Sequence, residues 1–178
     1  TIIDDDQAAY STSWTDFATQ GYQNNGVHYP SSPSAGQTAI WTFDSISLGD
    51  YFVYVSWSTH PNRTATAPFK LTYDGGTLDK NVNQKKLADQ TTDGASGQWS
   101  GWYLLTTIKV KLNTSSNLTL TTVDNTGGND FVIADEVLLV PAVSPNQVWV
   151  DKSFAQNGEN NGHIWNYDAF DVIQSAVN

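Results

Sequence analysis

The chain has no cysteine, no methionine, eight lysines and arginines in all, and no apolar run near the length of a membrane-spanning helix. Without cysteine there is neither a disulfide framework nor a thiolate metal site. A spanning helix needs roughly 18 or more consecutive apolar residues, so none is expected. Eight basic against eighteen acidic residues leave a formal charge of −10. That balance argues against nucleic acid or an anionic membrane as partner, since both need a basic face. No signal peptide is visible. Methionine is missing even at position 1, so the chain is expected to be a processed or excised piece of a longer protein. Helical periodicity is also scarce, confined to the last dozen residues.

Period-2 alternation takes its place, in short segments separated by Gly, Pro, Asn and Asp. Segment 37–44 (QTAIWTFD) puts Ala39, Trp41 and Phe43 on one face. Segment 50–58 (DYFVYVSWS) puts Tyr51, Val53, Val55 and Trp57 on one face, and 68–74 (PFKLTYD) alternates Phe69, Leu71 and Tyr73. The DGGT that follows reads as a tight turn into a strand over 77–84. Segments 102–112 (WYLLTTIKVKL), 117–123 and 131–140 complete the set. Seven or so short strands predict an antiparallel β-sandwich. Long loops over 8–36, 58–67 and 84–101 are where function is expected. PAVSP (141–145) reads as a hinge, followed by a strand over 147–151, a polar loop, and a helix over 167–178 on the spacing of Phe170, Ile173 and Val177.

The seven tryptophans and eight tyrosines fall into two groups. Trp41, Trp57 and Trp102 are in apolar phase on strands and read as core. Trp14, Tyr22, Tyr29 and Trp99 sit in polar loops, where a ring can stack on the C–H face of a sugar while neighbours such as Gln98 hold its hydroxyls. Trp99, within ASGQWSGW, is the foremost ligand-binding candidate. Asp135 and Glu136, in the middle of NDFVIADEVLLV, pose a separate question. A strand points adjacent residues to opposite faces, so one carboxylate shares a face with core residues and needs a partner there. Diverging side chains cannot serve as the carboxylate pair of a glycosidase, which needs roughly 5–10 Å across a cleft. His28, His60 and His163 lie in unrelated loops with neither metal-ligand spacing nor a nucleophile motif. The chain reads as non-catalytic.

The order of the middle segments resembles golvesin-type domains, also called the xanthan-lyase carbohydrate-binding-like domain. The matching residues are Trp41, the Tyr51–Trp57 strand, Asn62-Arg63, Gly75-Gly76, Asn83-Gln84, Trp102 with Leu105, and Ala134-Asp135, over about residues 1–141. Glu136, where the family usually has Ala, and an insert over 87–97 depart from its pattern. The resemblance implies an all-β, antiparallel jelly-roll sandwich of the galactose-binding-like type, with a short strand–loop–helix extension at its end. It implies a non-catalytic module in secreted bacterial proteins, holding a polysaccharide or cell-surface glycan near a neighbouring domain. The tail VWVDKSFAQNGENNGHIWNYDAFDVIQSAV is similar to the start of a right-handed parallel β-helix domain. The organisation expected is therefore a sandwich over 1–141, a linker over 142–146, and the start of a β-helix domain over 147–178. Two alternatives stand beside this reading: a structural or adhesion module that binds no sugar, and a fragment of a polysaccharide lyase or hydrolase.

Within that frame Asp135 is expected to face inward and meet Arg63 as a structural ion pair, since a guanidinium suits a partly buried carboxylate. No organic cofactor is expected. Jelly-roll binding modules often hold one structural calcium ion near the chain start, and Asp4, Asp6 and Glu136 are its candidate oxygen ligands.

Overall fold

The segments that alternate in sequence are strands, and their in-phase apolar residues are buried. The computed structural model describes residues 1–12, 14–31, 34–125, 127–142, 148–155, 160 and 169–170. They fall into two units, Thr1–Ala142 and Val143–Asn178. In chain order the first unit contains β1 (Ile2–Ile3), β2 (Ala9–Tyr10), β3 (Trp14–Asp16), β4 (His28–Pro30), β5 (Thr38–Thr42) and β6 (Gly49–Val55). These are followed by β7 (Ala67–Tyr73), β8 (Gly76–Val82), β9 (Tyr103–Leu104), β10 (Val110–Leu112), β11 (Asn117–Thr121) and β12 (Val137–Pro141).

Two antiparallel sheets of five strands result. One runs β1-β12-β6-β10, with β9 also pairing β6, and the other runs β2-β5-β11-β7-β8. β3 and β4 pair separately. The architecture is an antiparallel jelly-roll β-sandwich. Its core takes Ala39, Trp41 and Phe43 from one sheet and its margin, and Val53, Val55 and Trp57 from the other. Leu71, Leu112, Leu118, Leu120 and Leu139 fill the space between. Each such side chain, removed from water, contributes roughly 1.5–3 kcal/mol. The hairpin between β7 and β8 turns through Asp74 and Gly75, the latter at φ +103°, which glycine adopts without strain.

Three expectations are corrected. The strand over 102–112 is interrupted. Val53 donates to the Thr106 hydroxyl instead of a backbone carbonyl, the chain loops out before β10, and Ile108 is 69% exposed rather than in core phase. The strand over 131–140 is regular only from Val137. Upstream of it, Phe131 and Ala134 make single bridges to Arg63 and His28. Period-2 alternation therefore does not govern Asp135 and Glu136, and both are buried.

In the second unit, β13 (Trp149–Val150) pairs in parallel with β14 (Ala169–Phe170). The helix expected over 167–178 lies outside the described residues except at Ala169–Phe170, which form strand, not helix. The linker expected over 142–146 lies outside them apart from Ala142. No helix among the described residues is long and apolar enough to cross a membrane.

Candidate functional site

Two places in the first unit gather polar chemistry. The first is a buried group of acids. Asp5, Asp135 and Glu136 are at most 2% exposed. Asp135 accepts hydrogen bonds from the Ser56 hydroxyl at 2.8 Å and from the Tyr22 backbone N–H at 3.4 Å. The same hydroxyl lies 3.3 Å from Glu136. Tyr22 approaches so closely because Gly21 precedes it. Gly21 has φ +86°, and a Cβ there would sit 2.6 Å from Asp135 Oδ1. Asp5 is met by His28 Nδ1 at 2.6 Å. The turn that carries Asp5 is capped by Asp4, whose side chain accepts from the Asp6 N–H.

No lysine or arginine neutralises these acids among the described residues. Burial pushes the Asp5 carboxyl up to about 7, against the opposing pull of His28. Burial also raises Asp135 and Glu136, and each acts on the other. Asp135 already accepts from Ser56 and Tyr22, which favours its charged form, so the proton of the pair rests on Glu136.

The expected Arg63–Asp135 ion pair does not form. Asp135 is satisfied by a hydroxyl, a backbone N–H and its neighbour, while Arg63 faces a different part of the molecule. The expected metal ligand set also changes. Asp4 and Glu136 come together with Asp5, their oxygens within 4.8 Å of one another, whereas the exposed Asp6 lies on the His28 side of Asp5. In the 3-10 turn Asp5–Gln7 it is Asp5 that is buried, not Asp6.

The second place is a cleft of about 330 Å³. Tyr29 of β4 and Phe131 form its aromatic wall, edge to face with centroids 6.3 Å apart. Phe17, 45% exposed, adds a third ring. Polar groups converge from the β6–β7 loop as His60, Asn62 and Arg63, and from other loops as Gln20 and Ser96. The backbone holds this wall together: Phe131 donates to the Asn62 carbonyl and Thr64 donates to that of Phe131. Arg63 donates through Nε to the Ser58 carbonyl, through Nη1 to Asn62 Oδ1, and through Nη2 to Gln20 Oε1 and Ser58 Oγ.

Of the five expected ligand contacts, Tyr29 lines this cleft and the other four do not. Tyr22 is buried, packed between Trp99 at 5.2 Å and Trp102 at 5.1 Å, because its backbone is tied down at Asp135. Trp99 is half-buried in that aromatic cluster, and its indole N–H makes no hydrogen bond. Trp14 packs on Tyr10 at 5.0 Å. Gln98 accepts from the Ala95 N–H and shapes its own loop. Phe17, Gln20, His60 and Phe131 were not legible as site residues. Asn62 and Arg63 stood in the recognised motif, and both line the cleft, Arg63 there instead of at Asp135.

The family model of the Golvesin C-terminal domain matches residues 1–141. Among solved structures, a xanthan lyase from Paenibacillus shares 28% identity over 80% of this chain at TM-score 0.63. The module CBM35 from Paenibacillus barcinonensis shares 15% over 80% of this chain and 99% of its own, at TM-score 0.52. An exo-β-1,3-galactanase from Phanerochaete chrysosporium shares 12% over 79% of this chain at TM-score 0.50. The chain corresponds to only 13% of that lyase and 29% of that galactanase. No sequence among curated proteins matches it. With the family model spanning the whole sandwich, the chain belongs to the Golvesin C-terminal domain family.

Proposed function

We propose that the sandwich is a non-catalytic carbohydrate-binding module and that the Tyr29–Phe131 cleft is its ligand site. One observation carries this: aromatic faces and convergent amide, imidazole and guanidinium groups share one cleft, the combination that holds a sugar ring by stacking and by its hydroxyls. The fold shared with CBM35 and with part of a xanthan lyase supports the same reading. The acids at Asp135 and Glu136 are enclosed in the sandwich and do not line the cleft, which argues for structure rather than hydrolysis. An extracellular, bacterial setting, and a place beside a β-helix domain that acts on or adheres to polysaccharide, complete the proposal. The parallel pairing of β13 and β14 supports that neighbour.

Affinity electrophoresis of the whole chain through gels containing xanthan, galactan, xylan, alginate, polygalacturonate and hyaluronan tests the module. Retardation by at least one polymer, weakened about tenfold or more in Tyr29→Ala, is expected. Migration unchanged in every gel would favour a structural or adhesive module instead.

A structural calcium ion is the second element of the proposal. Asp4, Asp5 and Glu136 supply hard oxygen donors at a spacing a cation could bridge, and two of them are carboxylates buried without a cationic partner of fixed charge. Bound there, the ion would supply the counter-charge that burial otherwise replaces with protons.

A further inference from the structure

Arg63 is the only arginine of the 178 residues. Of the seven lysines, Lys86, Lys109 and Lys111 are paired with Asp93, Asp50 and Asp74. Among the described residues no carboxylate lies within 4 Å of Arg63. The groups it touches are all neutral: a backbone carbonyl, a hydroxyl and two side-chain amides. None of the eight residues lining its cleft is acidic. In a chain of net charge −10 the cleft is thus a local exception, holding a positive charge with no counter-ion.

The guanidinium is well placed to use that charge. A guanidinium has five N–H donors in one plane, and four are committed here. The two bonds through Nη2 are long, at 3.4 and 3.3 Å, so an incoming acceptor can replace them. Burial lowers the Arg63 pKa to about 10, which leaves it cationic at neutral pH. Partial enclosure strengthens its attraction for an anion relative to open water. A single planar fork matches the two oxygens of a carboxylate, one negative charge against one positive. Asn62, His60, Gln20 and Ser96 remain available for hydroxyls, and Tyr29 with Phe131 for the ring.

We infer that the cleft takes a sugar residue bearing a carboxylate, with Arg63 as the counter-ion of that carboxylate. This rests on the carbohydrate-binding reading of the same cleft and specifies its ligand class.

The test uses the unaltered chain with xanthan, alginate, polygalacturonate and hyaluronan, each beside its carboxyl-reduced, neutral form and a sulfated neutral polymer. Binding is read by gel retardation and by calorimetry at 20 and 300 mM salt. The expected result is that at least one carboxylated polymer binds tenfold or more tighter than its reduced form. The difference should shrink at the higher salt and vanish in Arg63→Gln. Arg63→Lys should recover part of it, without the bidentate component. Equal binding of carboxylated and reduced forms, or tighter binding of the sulfated polymer, overturns the inference while leaving a carbohydrate-binding module intact. Binding of no polymer in either form overturns both. The comparison of native with reduced polymer needs no variant, so a folding defect in Arg63→Gln cannot obscure it.

Discussion

The side-chain amide of Gln84 makes both backbone hydrogen bonds of Ile133: Nε2 donates to the Ile133 carbonyl at 2.8 Å, and the Ile133 N–H donates to Oε1 at 2.9 Å. One side chain therefore does what a neighbouring strand would do. It allows the stretch 131–136 to leave the sheet without orphaning its buried backbone, whose polar groups must be paired somewhere. That departure places Phe131 at the cleft and turns both Asp135 and Glu136 inward.

Replacing Gln84 by Ala should strand a buried N–H and a buried C=O and cost roughly 2–6 kcal/mol, from about 1–3 kcal/mol for each unpaired group. Denaturant unfolding midpoints measure it. Gln84→Glu should also destabilise at pH 8, since a carboxylate accepts from Ile133 but cannot donate to it. Part of the loss should return at acid pH, where the neutral acid donates. A Gln84→Ala protein as stable as the parent would show that these bonds are dispensable.

Glu136→Gln should leave stability within about 1 kcal/mol of the parent in chelator, because an amide can donate to Asp135 as the protonated acid does. The variant should lose any rise in melting temperature that millimolar calcium gives the parent. Asp135→Ala removes the acceptor of Tyr22 and Ser56, and should cost roughly 2–4 kcal/mol under either condition. If calcium raises the melting temperature of Glu136→Gln as much as that of the parent, the ion is bound elsewhere.

Stability should fall between pH 5 and pH 8 in chelator. Asp5 has its pKa raised from 3.8 to about 7 and Glu136 from 4.5 to about 11. The folded protein therefore binds more protons than the unfolded chain above about pH 4. The stabilising contribution is complete below the unfolded values, declines as pH rises through 7 for Asp5, and keeps declining toward 11 for Glu136. A decline on the order of a few kcal/mol is expected by pH 8. Saturating calcium should flatten or reverse it, since the ion binds the deprotonated acids. Melting temperatures at four pH values, with EDTA and with calcium, decide this. A rise toward pH 8 in EDTA would contradict the buried-acid account.

Gly94→Ala should cost about 1–3 kcal/mol by overpacking. A Cβ at Gly94 would fall 2.2 Å from Thr59 Oγ1 and 2.4 Å from its Cβ. Thr59 cannot withdraw, being fully buried with its hydroxyl donating toward Ala95 and Gln98 carbonyls. Thermal unfolding measures the loss, and a neutral substitution would mean the 84–101 loop shifts freely. Because that loop carries Ser96, sugar affinity should fall with stability.

Trp41, Phe43, Val53, Val55 and Trp57 were legible as core because strand periodicity depends only on residues two apart, a local property that burial in a sandwich preserves. The Asp74–Gly75 turn was legible for the same reason, since its chemistry is contained in four consecutive residues. Ile108 and the 131–136 stretch were not. At the first, the hydroxyl of Thr106 takes the Val53 bond that a backbone carbonyl would take. At the second, the distant side chain of Gln84 replaces a strand partner, and alternation carries no trace of either. Arg63 was misassigned because a buried carboxylate and a lone guanidinium invite pairing on paper, whereas here a hydroxyl and a backbone N–H reached Asp135 first.

By itself the order of residues determined a two-layer antiparallel sandwich, its inward faces and its net charge, because each follows from local periodicity or from composition. Only the tertiary structure decided which loops meet. The cleft joins Phe17, Tyr29, Arg63 and Phe131, and the acid cluster joins Asp5, His28, Asp135 and Glu136. Residues so far apart in the chain are brought together by strand pairing and by side chains that stand in for strands, and no local pattern encodes either.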